Sequence, residues 1–280
     1  MYTEDLTATG LLDRTRYDGG ADFIEDGTGP LAVLIHSSAG SARQWSPLMQ
    51  TMRESHCMRA VNLFGYGNTP PWPGAPGPAL DDFASLVADV VPPSTPSVHL
   101  VGHSLGGAVA MQAAARQLKG RVASLTLIEP SLFYLLPLDG RHEAYEEIIR
   151  MALDVKRLLA GGALETAAQI FIDYWSGAGT WSAMPPERKL AVARAVRGAL
   201  HEFNAVASGE MTLADWSQAL PRRRLLVSAA VTKRPCREIV ETLARRTPGW
   251  SVCLIDEGGH MSPITHPHLV NPVIQAFLTE

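Results

Sequence analysis

Cysteine is scarce in this 280-residue chain: Cys57, Cys236 and Cys253 stand far apart and never as C-x-x-C, so the sequence offers neither a disulfide framework nor a thiolate zinc site. No metal or other cofactor is expected, and reduced thiols point to a cytoplasmic protein. An apolar run near the roughly 18 residues that cross a bilayer is also missing, and the N-terminal MYTEDLTATG has neither the basic nor the apolar region of a secretion signal. Neither secretion nor a membrane partner is expected. Nor does one sign of charge dominate. The 24 Lys and Arg are mixed with 28 Asp and Glu, the formal net charge is −4, and no basic footprint for nucleic acid results. The densest cluster, Arg222-Arg223-Arg224, sits at a helix-to-strand junction and reads as a solvated loop. Apolar residues are plentiful, at 46% of the chain, enough for the core of one large α/β domain carrying an insertion.

The stretch Ser97 to Met111, SVHLVGHSLGGAVAM, organises the rest. Val98 to Val101 favour extended structure, Gly102-His103-Ser104-Leu105-Gly106-Gly107 follow, and then comes a run of Ala, Val and Met that suits a helix. The pattern fits G-x-S-x-G, in which a serine sits on a strained turn with its hydroxyl raised above the carboxyl edge of a sheet. Gly102 and Gly106 have a steric task, since side chains two positions either side of the turning residue would collide. Ser104 also opens a helix, where free N–H groups and the positive end of the dipole favour developing negative charge. A nucleophilic serine and its oxyanion require that environment.

Around this stretch the chain alternates. Residues 6–25 read as two antiparallel strands about a turn at Asp18-Gly19-Gly20. Leu31 to Ile35 is an unbroken apolar run, the mark of a strand buried on both faces. A helix is expected from Ser41, carrying Trp45, Leu48 and Met49, then a strand from Met58 to Leu63. The segment TPPWPGAPGP, Thr69 to Pro78, is a proline-broken loop. A helix from about Asp81 to Val91, the elbow strand, a helix to about Leu118 and a strand from Val122 to Ile128 complete a series that implies right-handed crossovers and a doubly wound, mostly parallel α/β sheet. From 131 to 220 only helical periodicity is visible, an all-helical insertion. Strands resume at Leu225 to Ala229 and Trp250 to Ile255, about a helix over Cys236 to Arg246, and the last helix is expected to start at Asn271-Pro272 and bury Val273, Ile274 and Phe277. The domain reading is therefore a core of residues 1–130 and 221–280 with an insertion at 131–220.

The G-H-S-L-G-G elbow, a His-containing turn after the first long strand, the helical block after Ile128 and the G-G-H-M-S-P run near the C-terminus together resemble the α/β-hydrolase superfamily with a cap domain. The resemblance covers the chain from about residue 20 and implies the order nucleophile, acid, histidine. Ser104 matches the nucleophile. His260, in a glycine-rich loop beyond a strand end, matches the general base. His36-Ser37-Ser38 matches the oxyanion turn, with Ser37 where relatives usually carry glycine, and the backbone N–H groups of Ser38 and Leu105 would bind the oxyanion. His36, Ser37 and His103 are expected to contact substrate.

The third member departs from the pattern. Most relatives carry an aspartate shortly after the strand that follows the cap, whereas here the segment reads Ser228-Ala229-Ala230-Val231-Thr232-Lys233-Arg234, without a carboxylate. Glu129, 25 residues beyond Ser104 at a strand's carboxyl end, is the replacement the sequence offers, an arrangement similar to that of certain haloalkane dehalogenases. Asp256, Glu257 and Asp139 remain alternatives. The resemblance implies a cofactor-free serine hydrolase of an ester, thioester or lactone; the Leu, Ile, Phe, Tyr and Trp of the helical block point to a small or medium hydrophobic substrate, and a monomer or homodimer is expected. Carbon–carbon bond hydrolysis or lyase chemistry on the same Ser-His pair, or a catalytically impaired ligand-binding or biosynthetic accessory protein, are the other readings.

Overall fold

Each apolar run of the core becomes a strand of one sheet in the computed structural model, which describes residues 13–16, 20–73 and 77–280. The strands are β1 (Asp13–Arg16), β2 (Asp22–Asp26), β3 (Leu31–Ile35), β4 (Cys57–Val61), β5 (Val98–His103), β6 (Val122–Ile128), β7 (Arg224–Ala229) and β8 (Ser251–Ile255). They are ordered β1-β2-β4-β3-β5-β6-β7-β8. The first two pairings, β1 with β2 and β2 with β4, are antiparallel; every later pairing is parallel. The expected turn at Asp18-Gly19-Gly20 lies largely outside the described residues, as do 6–12, but the antiparallel pair it would join is present.

β3 and β7 are buried at every position because helices cover both faces of the sheet. One face carries α1 (Ser46–Met52) and α12 (Pro267–Thr279), with Trp45, Leu48, Met49, Ile274 and Phe277 packed on Ala32, Leu34 and Val227. The other carries α2 (Leu80–Asp89), α3 (Leu105–Ala115) and α10 (Arg234–Arg246). The edge strand β8 is largely exposed, so its alternation signals less core than its apolar residues imply.

Two helix starts differ from expectation. The helix expected from Ser41 opens as a 3₁₀ turn, Ala42–Trp45, and the α-helical ladder begins only at Ser46, where Pro47 in the first turn loses no bond by lacking an N–H. The last helix begins at Pro267, not at Asn271-Pro272: His266-Pro267 provides the same proline-at-the-start signal one turn earlier, and Pro272 lies inside the helix. The apolar face running from Val270 through Ile274 to Phe277 and Leu278 offsets the hydrogen bond that Pro272 cannot make.

Between β6 and β7 the chain forms α4 (Leu135–Leu138), α5 (His142–Ala160), α6 (Leu164–Ser176), α7 (Thr180–Ala183), α8 (Pro186–Ala207) and α9 (Leu213–Ala219), with no strand among them. Their apolar faces join the core on the α2–α3 side: Phe133, Leu135, Ile148, Val196 and Trp216 belong to the same buried cluster as Leu105 and Val109. Tyr134 Oη accepts from Trp216 Nε1 at 2.8 Å, and Asp139 accepts from Thr242 Oγ1 of α10 at 2.8 Å. Phe171 and Trp175 of α6 and Phe203 of α8 face Ser37, Ser104 and Ser131, which follow β3, β5 and β6 in the chain.

Candidate active site

Ser104 stands between β5 and α3 at φ 56° and ψ −120°, a conformation that costs a non-glycine residue on the order of 1–3 kcal/mol and persists only when its surroundings enforce it. Close packing enforces it. A Cβ on Gly102 would lie 2.1 Å from the carbonyl oxygen of Gly106, and one on Gly106 would lie 2.2 Å from that of Ile35. All eleven residues of α3 are buried, so its small side chains let the helix descend onto β3 and β6 and lift the Ser104 hydroxyl over the sheet edge.

His260 comes to that hydroxyl from the loop after β8. Its Nε2 lies 2.9 Å from Ser104 Oγ, and its Nδ1 lies 2.9 Å from Glu129 Oε2. With Nδ1–H donating to the carboxylate, Nε2 has a lone pair to accept the Ser104 proton. Ser104, His260 and Glu129 are 6%, 3% and 1% exposed, so these interactions are weakly screened by water.

Glu129 reaches this place through an unusual backbone. It has φ 44°, follows β6 directly, and its N–H still pairs with Val227 O of β7 at 3.0 Å. The left-handed turn sends its side chain across the end of β7. There Oε1 accepts from Ala229 N–H at 2.9 Å and Ser228 Oγ at 3.2 Å, while Oε2 accepts from Thr232 Oγ1 at 2.5 Å. The segment Ser228 to Thr232, which has no acid of its own, is thus a set of donors for a carboxylate arriving from the neighbouring strand. Burial pushes the Glu129 carboxyl up, but the hydrogen bond and charge of His260 and the donors Thr232 and Ala229 outweigh it and hold the group below the usual carboxylate range. The alternative acids lie elsewhere. Asp256 and Glu257 are exposed, and Asp139 is engaged with Thr242, Arg245 and Arg246 of α10.

Cys236 Sγ approaches His260 Nδ1 at 3.4 Å, so Glu129, Cys236 and His260 place possible metal-ligand atoms within 4.8 Å of one another. Burial pushes the Cys236 thiol well above its ordinary range, which keeps it protonated and a poor ligand.

The expected oxyanion residues flank the same spot. Ser38 and Leu105 line the cavity above Ser104, and neither backbone N–H donates to a backbone acceptor among the described residues. Ser37 lines it too. His36 and His103 do not contact this space, contrary to expectation, because both rings are fully buried with their nitrogens taken up by the protein. His36 Nδ1 donates to Ser37 O at 2.8 Å, and Nε2 accepts from Leu63 N–H at 3.1 Å; burial lowers its pKa to about 4, so it is neutral. His103 Nε2 donates to the His260 carbonyl at 2.7 Å while Nδ1 accepts from Gln44 Nε2 at 3.2 Å. Gln44 Oε1 in turn accepts from Ser37 N–H at 3.2 Å and Ser37 Oγ at 3.1 Å. This relay fastens the turn after β3 to the loop that carries His260.

Three further side chains at the site carry no sequence signal of their own. Ser131 Oγ lies 3.0 Å from Ser104 Oγ, Thr232 holds Glu129, and the Trp175 ring of α6 packs 4.4 Å from the His260 ring, centroid to centroid. Trp175 joins Phe133, Met151, Phe171, Ile172 and Phe203 in walling a cavity of about 80 Å³ over Ser104 and His260. That is about half the ~150 Å³ of an engineered apolar cavity that admits benzene.

A family model described as alpha/beta hydrolase family matches residues 32–273. A pimeloyl-[acyl-carrier protein] methyl ester esterase of Methylococcus capsulatus is 36% identical over 110 residues, which is 38% of this chain and 39% of that protein, so the match spans about two fifths of the relative. The (E)-2-((N-methylformamido)methylene)succinate hydrolase of Acinetobacter baylyi is 23% identical over 266 residues, 92% of this chain and 94% of that one. A solved hydrolase structure from Pseudomonas aeruginosa PA01 superposes with a TM-score of 0.74 at 20% identity, covering 97% of this chain and 100% of the other, a likeness of fold.

Proposed function

The chain belongs to the alpha/beta hydrolase family, and on that premise we propose that it is a cofactor-independent serine hydrolase of an ester, thioester or lactone. Ser104 Oγ attacks the substrate carbonyl as His260 Nε2 takes its proton, and Glu129 holds the imidazole and stabilises the imidazolium. The N–H groups of Ser38 and Leu105 bind the oxyanion, each worth on the order of 3 kcal/mol. His260 then protonates the leaving group, and water, activated by the same imidazole, releases the acid from Ser104.

The observation that carries this reading is the unbroken run from Ser104 Oγ to His260 to Glu129, with both contacts at 2.9 Å in a buried site. Residues 131–220 act as the cap. Their aromatic wall favours a small or medium hydrophobic acyl group over a polymer. A relative named for a methyl ester accords with the ester class. The test is labelling with a fluorophosphonate followed by intact mass and peptide mapping. One adduct on Ser104 is expected, abolished in Ser104→Ala; absence of labelling on Ser104 would sink the proposal.

A further inference from the structure

Glu202, on α8, is 3% exposed, yet no step of the chemistry above uses it. Its carboxyl faces the hydroxyls of Ser38 and Tyr66, and with Tyr66 it walls one cavity. Tyr66 Oη in turn accepts from Ala39 N–H at 2.8 Å. The α8 segment around Glu202 therefore stands against the turn after β3 at two points: Ala199 and Phe203 wall a cavity with Ser38 and Ala39, and Glu202 lies beside Tyr66, which holds Ala39. Ala39 has φ 56°, a left-handed conformation that alanine keeps only under constraint. Glu202 Oε2 is buried without a hydrogen-bond partner among the described residues, a placement that destabilises the fold and so is not explained by stability.

From these contacts we infer that Glu202 is a positioning residue of the oxyanion turn: it fixes Ser38 and Ala39, so that the oxyanion site is complete only when α8 is seated over the core. The inference rests on the serine-hydrolase reading of Ser104.

A signature in pH follows from the surroundings. Burial outweighs the influence of the two neighbouring hydroxyls and pushes the Glu202 carboxyl up to about 7. From the core it faces Tyr66, whose phenol is pushed well above its ordinary range by burial and by Glu202 itself, with the neutral His36 ring packed edge-on to Tyr66 at 4.8 Å between centroids. From its own helix, Arg194 and His201 are exposed and line with it a larger cavity of about 440 Å³. The charge on Glu202 therefore changes near neutrality. An ionised carboxylate beside Ser38 opposes the oxyanion, so the neutral acid is the productive form.

The test uses the full chain, p-nitrophenyl acetate as probe, and kcat profiles over about two units either side of pH 7. Wild type should lose kcat as pH rises through this range, beyond any loss in Glu202→Gln, which keeps a neutral hydrogen-bonding group. Glu202→Ala should turn over about tenfold more slowly or worse at every pH with KM little changed, and Gln should restore the rate. Superimposable profiles for wild type and Glu202→Gln would overturn the inference even if the alanine variant failed to fold. Fluorophosphonate labelling separates the two readings. Wild type that is not labelled at Ser104 takes the hydrolase reading down and this inference with it, whereas equal labelling rates and equal profiles in all variants remove Glu202 alone.

Discussion

Replacing Glu129 by glutamine changes one atom and reverses the logic of the site. Ala229 N–H at 2.9 Å and Ser228 Oγ at 3.2 Å both donate to the Oε1 position, so the amide oxygen must settle there. The amide nitrogen then occupies the Oε2 position, 2.9 Å from His260 Nδ1 and beside the Thr232 hydroxyl. Two N–H donors cannot face each other, so Nδ1 gives up its proton and accepts, and the imidazole carries its hydrogen on Nε2. Ser104 Oγ, 2.9 Å away, then meets a donor where it needs a lone pair. In the Ser-His-Asp proteases this wrong tautomer lowers kcat by about 10⁴, equivalent to about 5 kcal/mol of barrier at 1.36 kcal/mol per decade. We expect a loss of that order and at least about a hundredfold. Because the substitution is isosteric and leaves no unpaired buried charge, the melting temperature should move little. Initial rates on a p-nitrophenyl ester, with melting curves alongside, make the measurement. A variant within about threefold of wild type would show that Glu129 neither orients nor stabilises His260.

Gln44→Leu should remove the relay between Ser37, His103 and the His260 carbonyl, leaving buried polar groups unpaired at about 1–3 kcal/mol each; a lowered melting temperature together with a lowered kcat is expected, and an unchanged kcat would free the relay of any catalytic part. Trp175→Ala should enlarge the cavity over His260 and shift the preferred p-nitrophenyl ester toward longer acyl chains, measured as kcat/KM across a chain-length series; an unaltered preference would place the acyl group elsewhere. Gly102→Ala should yield no folded protein, because its methyl group would meet backbone rather than a movable side chain; a normal melting curve would contradict the packing. Ionisation of Glu202 opposes folding, since its folded pKa of about 7 exceeds the ordinary 4.5, so this group's protonated form is favoured by the fold and stability is lost as pH rises from about 4.5 to 7. Relative to wild type, Glu202→Gln should gain up to about 3 kcal/mol between those limits, read from denaturant melts at both ends; a pH-independent difference would contradict the shift.

The elbow, the parallel core and the histidine near the C-terminus were legible in the sequence because each follows from a local rule. Unbroken apolar runs such as Leu31 to Ile35 demand burial on both faces, Gly102 and Gly106 are required wherever backbones meet across a tight turn, and a glycine-rich loop after a strand places His260 at a sheet edge. Glu129 could be named ahead of the other carboxylates from its place at a strand end, but the groups that hold it, Ala229 N–H, Ser228 and Thr232, were not readable, being about 100 positions away and neutral. His36 and His103 misled for the same reason: their place beside the two turns was readable, while the partners that seal them in, Leu63, Gln44 and the His260 carbonyl, were not. Glu202 gave no sign at all, being one polar residue on an amphipathic helix. The pattern along the chain therefore determined the scaffold and the places of Ser104 and His260, because those depend on neighbours in sequence. Tertiary structure alone decided that Glu129 meets His260, that Gln44 links the two loops and that Glu202 is buried beside Tyr66, because a contact is specified by the position of its partner in space and leaves no periodicity in the chain.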